Sequence, residues 1–216
     1  MSFKYVICLD FEATCWEYGH GRCDSEIIEI AAILLNLESG ETESQFHCFV
    51  RPTLRPKLSR YCINLTGIKQ RQIESKHTFP VVLETFIAWL HSLEQKKSLR
   101  YTSLAGIRAT DDGPNATFCS WSNNDLKTIF RRDCDRNGIT CPSILKAWID
   151  VQKRFEILHS NKRRGPWKFS DALQCANIRP VGRAHSGLSD ARNLVTMVMY
   201  LIRRGLCFST ANDYYH

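Results

Sequence analysis

The sequence predicts one α/β domain, a mixed β-sheet with helices on both faces. Three observations carry this. Residues 3–10 run apolar almost without a break, the pattern of a strand covered on both sides. Two further strand-like runs follow at 27–35 and 45–50, joined by a turn at Glu38-Ser39-Gly40-Glu41, which predicts a meander of hairpins. Beyond Pro52 and Pro56 the pattern changes to alternating helices and strands, in the order βββαβαβαα, which is the signature of a mixed sheet.

Taken in order, the first helix runs from Phe79 to about Glu94. Thr78 can cap it and Pro80 suits its first turn. Phe79, Val82, Leu83, Phe86, Ile87, Leu90 and Leu93 form one apolar stripe at helical spacing. Residues 100–115 are polar and contain Asp112-Gly113-Pro114-Asn115, so a loop is expected. Thr117–Trp121 reads as a fourth strand, followed by a helix to about Asn137 that Gly138 ends. Ala147–Asp150 reads as a short fifth strand leading into a helix. Two more helices are expected at 168–177 and 188–204.

Composition excludes several classes. The chain has 216 residues, of which 44% are hydrophobic and 24% charged, values of a globular protein rather than a disordered chain. No run of ~18 uncharged apolar residues is present, so no membrane span is expected. The segment Met1–Asp10 is too short in apolar residues for a secretory signal and lacks a small-residue cleavage site. An intracellular protein of the cytoplasm and/or nucleus is expected. Lys+Arg number 29 against 22 Asp+Glu, a net charge of +7, which favours a polyanionic partner. The ten cysteines include no C-x-x-C pair, so free thiols packed as small hydrophobes are expected; the alternative is a Cys15–Cys23 disulfide.

Three segments could carry chemistry. In Asp10-Phe11-Glu12, at the end of the first strand, the two acids lie at i and i+2. They therefore share a face with Val6 and Cys8. Such a pair is either solvated at a strand end or neutralised by a hard divalent cation. Asp125 has capping-box-like spacing from Ser122 and suits a first helical turn, so helix capping competes with a ligand role. Asp190 opens the last helix on the stripe that continues through Leu194, Val198 and Leu201, and a buried acid needs a partner. His185 lies just before that helix; it is either a hydrogen-bonded structural group or a base. Together these segments supply four carboxylates and a histidine, the inventory of two-metal phosphodiester hydrolysis.

The combination resembles the DEDDh 3′→5′ exonucleases of the RNase H-like (DnaQ-type) superfamily, and within it the Enhanced-RNAi / 3′-histone-mRNA exonuclease group. The matching stretches are Leu9–Trp16, Glu26–Glu29, Asn64–Ile68, Trp121–Leu126 and His185–Asp190. The resemblance implies an RNase H-like mixed five-stranded sheet of order 3-2-1-4-5, over a single exonuclease domain spanning 1–216. It implies that Asp10, Glu12, Asp125 and Asp190 hold two Mg²⁺ (or Mn²⁺) ions, with His185 as general base. It implies that Leu65 and Ile68 pack against the terminal base, with Ala13 and Thr14 along the terminal nucleotide. Ser189 stands where many members carry a second acid, and no SAP-like or zinc module is expected beside the domain.

The expected partner is a nucleic-acid 3′ end, RNA and/or DNA. In Lys162-Arg163-Arg164-Gly165-Pro166-Trp167-Lys168, a basic run meets an aromatic, which makes Arg164 and Trp167 candidates for tracking the incoming strand. Trp16 and Trp121 are either base-stacking groups or core anchors. Two competing readings stand beside the nuclease. One is a non-catalytic nucleic-acid-binding domain of the same fold. The other is a thiol or serine hydrolase using Ser186 or Ser189, for which the chain lacks a G-x-S-x-G elbow.

Overall fold

Strand β1 (Tyr5–Ala13) is apolar on both faces because it lies mid-sheet: β2 (Ile27–Asn36) pairs with it antiparallel on one edge, and β4 (Ala116–Ser120) pairs parallel on the other. The computed structural model describes residues 2–18, 24–104, 108–110, 112–160, 165–211 and, for the backbone, 213–214. Strand β3 (Thr42–Phe49) extends the meander, and β5 (Ala147–Asp150) continues the parallel side. This is the expected order 3-2-1-4-5. The two-residue strand β6 (Asp213–Tyr214) adds a sixth member, antiparallel to β5 at the edge; so short a strand carries no periodic signal.

The period-2 alternation of β1 sorts the core into two layers. Tyr5, Ile7, Leu9 and Phe11 face the layer that includes the stripe of α3 (Phe79–Lys97), namely Phe79, Val82, Leu83, Phe86, Leu90 and Leu93. Each such side chain contributes roughly 1.5–3 kcal/mol when fully buried. Val6 and Cys8 face the opposite layer, made by α5 (Val151–Leu158), α6 (Phe169–Cys175) and α7 (Gly187–Arg203). Asp10 and Glu12 continue the Val6–Cys8 face past the point where the apolar layer ends.

Two short helices follow β3 in the stretch the prolines interrupt: α1 (Arg60–Thr66) and α2 (Gln70–Ile73). Neither shows an apolar stripe in sequence, because each is two turns or fewer and is fastened from outside. Ser59 Oγ accepts from the Cys62 amide at 2.9 Å, and Gly67 ends α1 at φ +76°. After β4 the chain forms a π-helical segment, Asn124–Phe130, continuing as α4 (Arg131–Arg136), with Gly138 at φ +64° just beyond. In the described part of the 100–115 stretch, Tyr101 is bridged to Ala116 and Arg108 to Thr210. Among the described residues no helix is long and apolar enough to cross a membrane, and the described cysteines are free thiols. Cys23, the partner in the disulfide alternative, lies outside the described residues.

Candidate active site

The end of β1 opens into a cleft of about 730 Å³ that is lined by Asp10, Glu12, Asp125, His185 and Asp190 together. They arrive by three routes. Strand geometry sets Asp10 and Glu12 side by side, while Phe11 turns to the other face and stacks on Phe130, ring centroids 5.8 Å apart. Asp125 enters from the segment after the parallel strand β4. Its Oδ1 accepts from the Phe11 amide at 3.4 Å. At the start of the segment Ser122 Oγ accepts from the Asn124 amide at 3.3 Å, and Asp125 also bonds its own backbone amide. Besides its place in the first helical turn, Asp125 thus links the π-helical segment to β1, and π-turns of this kind recur at functional sites. Trp148 Nε1 donates to Asn123 Oδ1 at 2.8 Å and steadies the start of the segment.

Asp190 and His185 form one unit. The His185 amide donates to Asp190 Oδ2 at 2.7 Å, and His185 itself sits at φ +58°, a left-handed conformation that costs a non-glycine residue energy and persists only where neighbours impose it. Asn193, buried one turn into α7, grips the loop: its Oδ1 accepts from the Val181 amide at 2.8 Å and its Nδ2 donates to the Val181 carbonyl at 3.1 Å. Arg183 extends the opposite way and donates to the Asn64 and Leu65 carbonyls at the end of α1.

The electrostatics call for a cation. Burial, then Asp125, Glu12, Asp190 and Glu29, push the Asp10 carboxyl far above the ordinary carboxylate range. Burial, then Glu29 and the other acids, raise Glu12 to about 9. Burial raises Asp125 to about 7 against the pull of its backbone hydrogen bonds, and burial also raises Asp190. These groups resist ionisation first because they are buried, and at Asp10 and Glu12 also because neighbouring carboxylates crowd them. One ligand atom each from Glu12, His185 and Asp190 lies within 4.8 Å of the others, close enough for a single cation to join them. The oxygen-rich donor set, with Asp10 and Asp125 beside it, fits hard divalent ions.

Of the residues expected along the substrate, Ala13, Thr14, Leu65, Trp121 and Trp167 line the cleft. Thr14 is 2% exposed and its Oγ1 accepts from the Glu26 amide at 2.9 Å, so its hydroxyl serves the fold. Trp121 is a wall: its ring packs on Phe169 at 4.8 Å and its Nε1 donates to the Trp167 carbonyl at 3.3 Å. Ile68 is not in the cleft. The turn at Gly67 swings it inward, where at 3% exposure it packs with Ile28, Leu58, Cys62 and Ile73. Trp16 is likewise elsewhere, with the Arg55 guanidinium 5.4 Å from its ring centre. Arg164 lies outside the described residues. Glu29 and Asn193 escape sequence reasoning, although a charged residue inside the apolar run Ile27-Ile28-Glu29-Ile30 is a signal for the first, since a buried charge requires partners.

A mixed sheet of this order, with an acidic cleft at the end of its first strand, defines a DEDDh-type nuclease of the RNase H-like fold. The signature of the Exonuclease (RNase_T) family matches residues 7–198, and the chain belongs to that family, which is metal-dependent. It is similar to ERI1 exoribonuclease 2 of Mus musculus, with 36% identity over 94% of this chain and 29% of that protein, so it spans under a third of that relative. It is also similar to the 3′-5′ exonuclease Snipper of Drosophila melanogaster, with 35% identity over 98% of this chain and 74% of that protein. Among solved structures, the nuclease domain of 3′hExo, a DEDDh family member bound to rAMP, superposes with a TM-score of 0.84 at 28% identity, covering 99% of this chain and 98% of that one.

Proposed function

We propose that residues 1–216 act as one metal-dependent 3′→5′ exonuclease domain that releases nucleoside monophosphates from the 3′ ends of RNA and/or DNA. The observation that carries this reading is the convergence of Asp10, Glu12, Asp125, Asp190 and His185 on one cleft. The relatives named above as an exoribonuclease and a 3′-5′ exonuclease, and the rAMP-bound nuclease domain, support it. The intact set also speaks against a domain that only binds nucleic acid.

In this reading the four carboxylates hold two Mg²⁺ or Mn²⁺ ions. When bound, such ions supply charge neutralisation at the scissile phosphate and lower the pKa of a water. His185 accepts the proton of the attacking water at its ring, with its backbone held by the bond from its own amide to Asp190. Ala13 and Thr14 flank the terminal nucleotide, and Leu65, Trp121 and Trp167 give its base apolar walls. The basic segment containing Arg164 tracks the phosphates of the incoming strand, in keeping with the net charge of +7. The described free thiols suit a reducing cytoplasm or nucleus.

The test is the release of mononucleotides from 3′-labelled RNA and single-stranded DNA, with Mg²⁺ and with EDTA. Label should be lost only with metal, and Asp10→Asn should abolish the loss. Degradation that survives both chelation and that substitution would refute the reading.

A further inference from the structure

We infer that Glu29 is a positioning residue for the reaction: its carboxylate seats the start of α7 so that His185 is presented to the cleft. This rests on the exonuclease reading above. Glu29 lies on β2 directly opposite Glu12 and is 2% exposed. Its Oε2 accepts from the Gly187 amide at 2.9 Å, and its Oε1 lies 2.7 Å from His47 Nε2 on β3. A carboxylate at the first amides of a 17-residue helix is favoured by both hydrogen bonding and the helix dipole.

Two further features give the contact a direction. Glycine at 187 suits this contact, because a Cβ there would stand 3.0 Å from Glu29 Cδ and 3.2 Å from both Cγ and Oε2, so that Glu29 would have to give by a few tenths of an ångström. Glycine thus permits an approach that a Cβ would crowd, displacing the carboxylate from the Gly187 amide. His185, two residues upstream, is held at φ +58°, a state that relaxes unless the chain is pinned on both sides. Arg183 pins the upstream side on the α1 carbonyls, and Gly187 on Glu29 is the downstream pin. Glu29 therefore acts through His185, bridging the sheet to the loop without itself meeting the reacting atoms.

The experiment measures kcat and KM on a 3′-labelled oligonucleotide at saturating Mg²⁺, well below each variant's melting temperature. The variants are Glu29→Gln, Glu29→Asp, Glu29→Ala and Gly187→Ala. Gln keeps an acceptor at the same reach and should hold kcat within about threefold. Asp is one methylene short, and together with Ala and Gly187→Ala should lower kcat by ~10–10²-fold with KM within about threefold, the usual scale for misplacing a reacting group by an ångström. Built on His185→Ala, Glu29→Asp should cost nothing more, because its effect passes through the missing ring. Undiminished kcat in Glu29→Asp and Gly187→Ala, a change confined to KM, or a loss that multiplies with His185→Ala would overturn the assignment. An inactive wild-type chain would instead refute the exonuclease reading, so the two failures are distinct.

Discussion

Asp125 accepts a hydrogen bond from the amide of Phe11, the residue between Asp10 and Glu12, at 3.4 Å. One carboxylate from a helical segment is thereby locked to the strand end that carries two more. Asp125→Asn keeps an acceptor for that amide and removes a charge. The exonuclease rate should fall by at least ~10²-fold, since a lost ligand forfeits several kcal/mol of charge stabilisation. The metal-free variant should melt no lower than the wild type, because a crowded charge has gone. Turnover assays and thermal melts of the same preparation check both halves.

Metal-free stability should fall with rising pH. Glu12 and Asp125 have native values raised to about 9 and about 7, whereas an unfolded chain releases such protons near pH ~4. Between those limits the native state binds more protons than the unfolded one, so the unfolding free energy decreases with pH. Their contribution is fully present below about pH 4 and is lost as pH rises through about 7 and then about 9. Melting in EDTA from about pH 5 to 9 should show the decline. Mg²⁺ should restore most at the alkaline end, and a Glu12→Gln/Asp125→Asn double variant should flatten the slope.

His185→Ala should slow turnover by roughly 10²–10⁴-fold, the contribution of a positioned general base. In the wild type the single-turnover rate should fall on the acid side, since a protonated imidazole has no lone pair to take the water's proton. The variant should lose that limb. A wild-type profile flat from acid to neutral pH would contradict the role.

Gly67→Ala should destabilise the fold more than Gly138→Ala. Both glycines have left-handed backbones, at φ +76° and +64°, so each alanine carries strain of about 1–2 kcal/mol. Only at Gly67 would the new Cβ also press on a neighbour, 2.8 Å from Arg183 Nη1, so that this side chain must leave the Asn64 and Leu65 carbonyls, while at Gly138 nothing lies within 4 Å. Urea denaturation compares the two. Gly67→Ala should in addition reduce kcat, because the collision lifts Arg183 from the carbonyls that anchor the His185 loop.

Much of the sheet was legible because the two periodicities are strong where they matter. β1 and β2 are continuous apolar runs, α3 and α7 carry long stripes, and the observed strand order is the one expected. Helices α1 and α2 were missed, being too short for a stripe and fastened instead by Ser59, Gly67 and the Gln70 side chain, whose Oε1 accepts from the Leu58 amide at 2.9 Å. Ile68 was expected against the substrate and is core, because a left-handed turn reverses the direction in which the next side chain points.

The sequence alone determined which residues could share a face: Asp10 with Glu12 by strand alternation, and Asp190 with the buried stripe of α7 by helical spacing. These are local consequences of backbone geometry, and they hold wherever the elements are placed. Only the tertiary structure decided that Asp125 would reach across to Phe11, and that Glu29 would meet Gly187, 158 residues away. Such contacts depend on how parallel crossovers bring separate elements together, and no pattern within a single element encodes that distance.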